Sequence, residues 1–141
     1  MAIKQISVFV ENKQGVLSEA VAALSEAGIN LRALSIADTQ EFGILRMIVS
    51  DTEKAVSVLS ESTIVKVTDV IAVKMDDKQG ALHNVLKVLE DAKIDIDYSY
   101  AFTGSTSGAY VVIRVGSVEE AQKALEANGV TVLNEADVAA I

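Results

Sequence analysis

Two short segments hold the residues whose types and spacing can do chemistry. They are Glu11-Asn12-Lys13-Gln14-Gly15-Val16-Leu17 and Asp76-Asp77-Lys78-Gln79-Gly80-Ala81-Leu82, which share one layout 65 residues apart. In each, a glycine stands where an apolar helical run begins. Such a glycine lets a ligand approach the backbone, and the first N–H groups of the helix, which have no intrahelical acceptor and lie at the positive end of the dipole, suit a carboxylate. Asn12 and Asp77 offer acceptors for an ammonium, and Asn30 and Asp95, just past the same helices, offer more. A carboxylate and an ammonium together describe an amino acid. The same residues also suit a plain turn, each glycine shaping it and each polar side chain capping the helix, and spacing alone leaves both readings open.

Other chemistry finds little support. There is no cysteine, which removes disulfides, thiolate nucleophiles and zinc ribbons, and the single histidine, His83, cannot build a multi-histidine metal site within one chain. His83 takes the place of Ser18 in the other copy and reads as an exposed helix residue. GxSxG, HExxH and Walker motifs are absent. Gly104-Ser105-Thr106-Ser107-Gly108 lacks the Lys-Ser or Lys-Thr of a phosphate loop and precedes a strand, so it reads as a hairpin turn. The pairs Asp76-Asp77, Asp95-Asp97 and Glu119-Glu120 lack EF-hand spacing and read as solvated surface. Arg32, Arg46 and Arg114 are the only arginines, and none lies in a glycine-rich anion loop, which weighs against a small acyl-phosphate hydrolase. A non-catalytic protein without a cofactor is therefore expected. A net charge of -8 repels phosphate backbones and anionic lipids, so neither a nucleic-acid nor a membrane partner is expected. Met1 to Val10 resembles neither a signal-peptide core nor a membrane helix, and the cysteine-free chain suits the cytoplasm.

The elements that must position these loops follow from a duplication. With 141 residues, half of them hydrophobic, and a mean hydropathy of +0.35, the chain can bury a core in one domain or in two small ones. The 65-residue offset also pairs Ile6 with Ile71, Val8 with Val73, Leu24 with Leu89, Ala27 with Ala92, Ile29 with Ile94 and Gly43 with Gly108. In the first copy, Ile6, Val8 and Val10 alternate as in a strand. Val16, Leu17, Ala20, Val21, Leu24 and Ala27 recur at helical spacing, with Gly28 as the cap. A hairpin over Leu31–Ala37 and Ile44–Val49 follows, then a helix opened by Ser50-Asp51-Thr52-Glu53, then a strand at Ile64–Val67. The second copy repeats the order: a strand at Val70–Met75, a helix over Gly80–Ala92, strands at Ile94–Phe102 and Ala109–Val115, a helix capped by Ser117, and a strand at Val130–Leu133. A helical turn is expected after Asn134. The expected fold is α+β: two ferredoxin-like βαββαβ modules, residues 1–68 and 69–141, each with its helices on one face of an antiparallel sheet. Thr63 to Met75 contains neither glycine nor proline, so the junction reads as strand and predicts tight coupling rather than a flexible tether.

On these residues the chain resembles the ACT domain, in both halves. The family pattern is an acidic or Asn residue, a basic residue, Pro-Gly-x-Leu, a helix, and Gly-(Ile or Val)-Asn-Ile. It is matched by Asn12-Lys13-Gln14-Gly15-Val16-Leu17 with Gly28-Ile29-Asn30-Leu31, and more loosely by Asp77-Lys78-Gln79-Gly80-Ala81-Leu82 with Lys93-Ile94-Asp95-Ile96. Gln14 and Gln79 stand where the family has proline, Lys93 replaces the helix-ending glycine, and Asp95 replaces Asn30. The resemblance implies a regulatory module that binds a small effector, usually an amino acid, where two modules share a sheet edge or stack helices. It gives Asn12, Gln14, Gly15, Val16, Leu17 and Asn30 as ligand-binding candidates in the first copy, and Asp77, Gln79, Gly80, Ala81, Leu82 and Asp95 in the second. It also implies a homodimer and an output through an enzyme or regulator partner in trans. The alternative is an interaction module without a ligand.

Overall fold

The computed structural model describes residues 2–38, 42–103 and 108–141. The hairpin segment expected at Gly104–Ser107 lies outside them. The chain divides into one unit of Lys4–Thr68 and a second of Asp69–Ile141 with the N-terminal residues up to Ile3. In chain order, the first repeat holds β1 (Ile3–Glu11), α1 (Val16–Glu26), β2 (Leu31–Asp38), β3 (Phe42–Val49), α2 (Thr52–Leu59) and the start of β4 (Ile64–Met75). The second holds the rest of β4, then α3 (Ala81–Asp91), β5 (Ile96–Thr103), β6 (Ala109–Val115), α4 (Val118–Ala127), β7 (Thr131–Leu133) and a short α5 (Glu135–Ala139). The strand-like junction is found: β4 runs unbroken from Ile64 to Met75 through the division.

In each repeat the strand order is that of a ferredoxin-like sheet, β2-β3-β1-β4 in the first and β5-β6-β4-β7 in the second. Alternation selects the face that meets the helices, although Gln5 and Ser7 on the other face of β1 are buried too. Ile6 lies opposite Met47 and Val8 opposite Leu45, and these four side chains meet Ala20 and Leu24 of α1 and Ala55 and Leu59 of α2. The second core repeats the layout with Ile71, Val73, Ile113, Val85, Leu89, Ala121 and Leu125.

Strand register corrects one pairing expected from the sequence. Val10 and Asp38 both face Gly43, whereas Met75 and Thr103 both face Ala109. The structural counterpart of Gly43 is therefore Ala109, not Gly108, and the second hairpin is one residue longer. From there on the copies are offset by one more position, because the ladder on both sides holds its partners in place.

Helix ends follow local chemistry. At the C-terminus of α1, Gly28 has φ +72, its N–H reaches Ser25 O at 3.0 Å and the Ile29 N–H reaches Leu24 O at 2.9 Å, a Schellman closure. Lys93 makes the same closure at α3 with φ +58, bonding Glu90 O and passing the next N–H, that of Ile94, to Leu89 O. Those bonds keep Ile94 in the helix end, so β5 starts at Ile96, two residues later than expected. The cap of α2 is Asp51, which accepts from the Lys54 N–H at 3.0 Å, rather than Ser50. Ser50 is drawn away because its Oγ accepts from the Asn30 N–H at 3.0 Å.

Candidate ligand-binding site

Both β1–α1 and β4–α3 connections build the same turn from the same sequence. The Val16 N–H donates to Lys13 O at 3.3 Å, and the Ala81 N–H to Lys78 O at 3.3 Å. The third residue of each turn is the glycine, with φ +87 at Gly15 and +86 at Gly80, while Gln14 and Gln79 keep negative φ. That is a type II turn, which requires positive φ at its third position and suits proline at its second. Nothing lies within 4 Å of where a Cβ would stand on either glycine. Backbone handedness, and not crowding, is what demands glycine here. The turns are tied at their entries alike: Lys13 pairs with Glu11 at 2.7 Å and Lys78 with Asp76 at 3.3 Å, all four side chains well exposed. The Glu11 carboxylate, chiefly through its hydrogen bond, raises the pKa of Lys13 above the usual lysine value.

The glycine carbonyl then accepts the first helical bond, from Glu19 N–H at 2.9 Å for Gly15 and from Asn84 N–H at 3.1 Å for Gly80. No side chain caps either helix. The other three helices among the described residues are all capped: Asp51 on α2, Ser117 on α4 and Asn134 on α5 each accept a first-turn N–H. The plain-turn reading asked Asn12 and Asp77 to cap, and among the described residues neither does. With the Val16 and Ala81 N–H groups committed to the turns, it is the next two amides of each helix, at Leu17 and Ser18 and at Leu82 and His83, that have no side-chain cap among the described residues, at the positive helix end.

The candidate residues do not all gather. Asn12, Gln14, Gly15, Val16 and Leu17 share one loop, as do Asp77, Gln79, Gly80, Ala81 and Leu82. Asn30 and Asp95 lie at the other end of their own modules, because an 11-residue helix, about 16 Å long, carries the chain away from the loop before either is reached. Asn30 is anchored there by its backbone alone, its N–H to Ser50 Oγ and its carbonyl accepting the Ser50 N–H at 2.9 Å. It borders a cleft of about 340 Å³ between α1 and β2, lined also by Val21, Leu24, Ser25, Gly28, Ile29 and Leu31. Sequence reading puts Val21 and Leu24 on the apolar stripe and Gly28 in a cap; Leu24 is core and Gly28 does cap, but nothing in that reading announces the cleft beside them. The available signal was that Ser25, Gly28 and Asn30 differ in charge from their copies Glu90, Lys93 and Asp95.

The paired loops also differ in packing. Leu17 and Val16 lean against the first core, whereas Leu82 is 42% exposed and Ala81 is buried. The smaller Ala81 fills less of the helix mouth than Val16 does. Among the described residues no group of acidic or histidine side chains is placed to hold a metal ion, and no helix is long and apolar enough to cross a membrane.

Comparison with known proteins adds the family. The model of the ACT domain pair matches residues 1–141. A crystal structure of a protein from Bacteroides thetaiotaomicron is 38% identical, superposes with a TM-score of 0.93, and is matched over 100% of this chain and 98% of that one. The ligand-free regulatory subunit of aspartate kinase from Thermus thermophilus gives a TM-score of 0.66 at 14% identity over 89% of this chain and 90% of that one. The aspartokinase alpha and beta subunits give 0.63 at 20% identity, over 88% and 90%. These last two likenesses are of fold. No curated protein matches the sequence.

Proposed function

The chain belongs to the ACT domain family as a pair of such domains, and from that premise we propose that it is a non-catalytic cytoplasmic sensor that binds an amino acid and passes its occupancy to a partner enzyme or regulator. One observation supports this above the rest: of the five helices among the described residues, the two that open on the repeated glycine loops have no side-chain cap. The effector's carboxylate takes the place of the missing cap, accepting the Leu17 and Ser18 N–H groups, since that of Val16 is held by Lys13 O. Asn12 stands in the same loop to accept from the ammonium.

Because Asn30 lies at the far end of its own module, a pocket using both it and the Gly15 loop is completed by a second copy of the chain. The edge strand β2 supplies the means. Leu34 and Ile36, 43% and 51% exposed, stand on an edge with no strand beyond it in the sheet order. Pairing two β2 strands antiparallel about a two-fold axis covers these side chains. It also brings the Asn30 end of one copy against the loop end of the other.

The test is a thermal melt with each standard amino acid. A ligand at about a hundred times its Kd should add about 2.7 kcal/mol of stability. Melts unchanged by every amino acid would end the sensor reading and leave an interaction module without a ligand.

A further inference from the structure

The cleft between α1 and β2 carries information on which amino acid is bound. On its apolar side the first module's cleft offers the half-buried Val21 and Leu31, with the core residue Leu24 behind them and Ser25, Gly28 and Asn30 as its polar margin, and none of them is charged. A volume of about 340 Å³ suits a small molecule rather than a peptide segment. The Asn30 main chain is occupied by Ser50, which leaves its side-chain amide and the Ser25 hydroxyl as neutral hydrogen-bonding groups at the mouth.

The second module keeps the same backbone there but changes the chemistry. Strand register and the shared Schellman closures make Glu90, Lys93 and Asp95 the counterparts of Ser25, Gly28 and Asn30. An aliphatic side chain seated among those three ionised groups would strip water from them without offering a hydrogen bond in return. In the first module the same seating meets apolar surface and neutral polar groups, and strips water from no charged side chain of the lining.

We infer that the effector is an amino acid with an uncharged aliphatic side chain, that this side chain seats in the α1–β2 cleft of the first module, and that each chain takes up one molecule. This rests on the sensor reading above and adds the ligand class and the stoichiometry. Isothermal titration of the full-length protein with valine, leucine, isoleucine and methionine, and separately with lysine, arginine, aspartate and glutamate, tests it. At least one of the first four should bind at one per chain.

Two variants then exchange the modules' chemistry. Ser25→Glu with Gly28→Lys and Asn30→Asp gives the first cleft the second's charges, and the affinity for that amino acid should fall at least about tenfold. Lys93 shows that lysine can hold the conformation required at Gly28, and a melt without ligand confirms folding. Glu90→Ser with Lys93→Gly and Asp95→Asn should leave the first site's affinity unchanged. Binding only of a charged amino acid, two molecules per chain, or an unchanged affinity in the first variant overturns the inference while leaving the sensor reading intact. If none of the twenty standard amino acids binds, the sensor reading itself falls, and this inference with it.

Discussion

The two modules share their openings and differ at their far ends. Their β–α loops match in turn geometry, glycine φ, entry ion pair and the lack of a side-chain cap. Beyond the helix, the first module presents Gly28, Asn30, Leu34 and Ile36 where the second presents Lys93, Asp95, Ser99 and Ala101. The loop chemistry is thus compatible with the same head group in both copies. The far end separates a copy that exposes large apolar side chains at its edge from one that exposes a serine and an alanine in their place. A duplicated module can keep the part that recognises what all amino acids have in common and change the part that meets what distinguishes them.

The largest effect should come at the edge strands. Ile36→Lys places a charge in the proposed β2–β2 contact of both copies and should weaken the dimer by about 3 kcal/mol in all. Ala101→Lys on β5 should leave it intact, and light scattering across a dilution series reads both. If the second variant dissociates the protein and the first does not, the contrast is reversed.

Next come the loops. A β-branched residue at φ near +87 is strained, so Gly15→Val should both lower stability by about 1–2 kcal/mol and abolish the effector's added stability of about 2.7 kcal/mol. Gly80→Val should incur the same strain but keep the effector response, since the cleft proposed to hold the ligand belongs to the first module. Melts with and without ligand separate the two terms, and loss of the response in Gly80→Val alone would assign the site to the other loop.

A smaller effect is expected at the helix ends. Lys93 holds a left-handed conformation that glycine adopts without cost, so Lys93→Gly should stabilise the second module by about 1 kcal/mol. Gly28 already fills that position in the first. The smallest concerns the turns. Gln14→Pro and Gln79→Pro place proline at the second position of a type II turn and should each add about 0.4–1 kcal/mol by narrowing the unfolded ensemble. Equal gains in both would confirm that the loops are alike, and denaturant midpoints at constant slope measure them.

Much of the fold was legible because its signals are local. Alternation at Ile6, Val8 and Val10, the helical stripe ending at Gly28, and the repeat of both at Ile71 and Leu89 each depend on residues a few positions apart. The cap of α2 was misplaced by one residue because Ser50 and Asp51 are both good caps, and only a partner twenty residues away, Asn30, decides between them. The pairing of Gly43 with Gly108 failed for a similar reason: an inserted hairpin residue leaves no trace in a short apolar run, while the strand ladder counts it. The candidate loops were legible down to their glycines, but the cleft was not, since Val21 obeys the same periodicity whether it faces a core or a groove.

By itself, then, the sequence determined the number of modules, the order of their elements, the two glycine turns and the charge difference at the ends of α1 and α3. These follow from steric preference and periodicity, which act over a turn of helix or a pair of strand residues. The tertiary structure decided that Asn30 and Asp95 sit a helix length away from the loops they were grouped with, and that Leu17 leans on a core while Leu82 faces solvent. Closeness in sequence does not survive an 11-residue helix, because each residue added carries the chain another 1.5 Å along its axis.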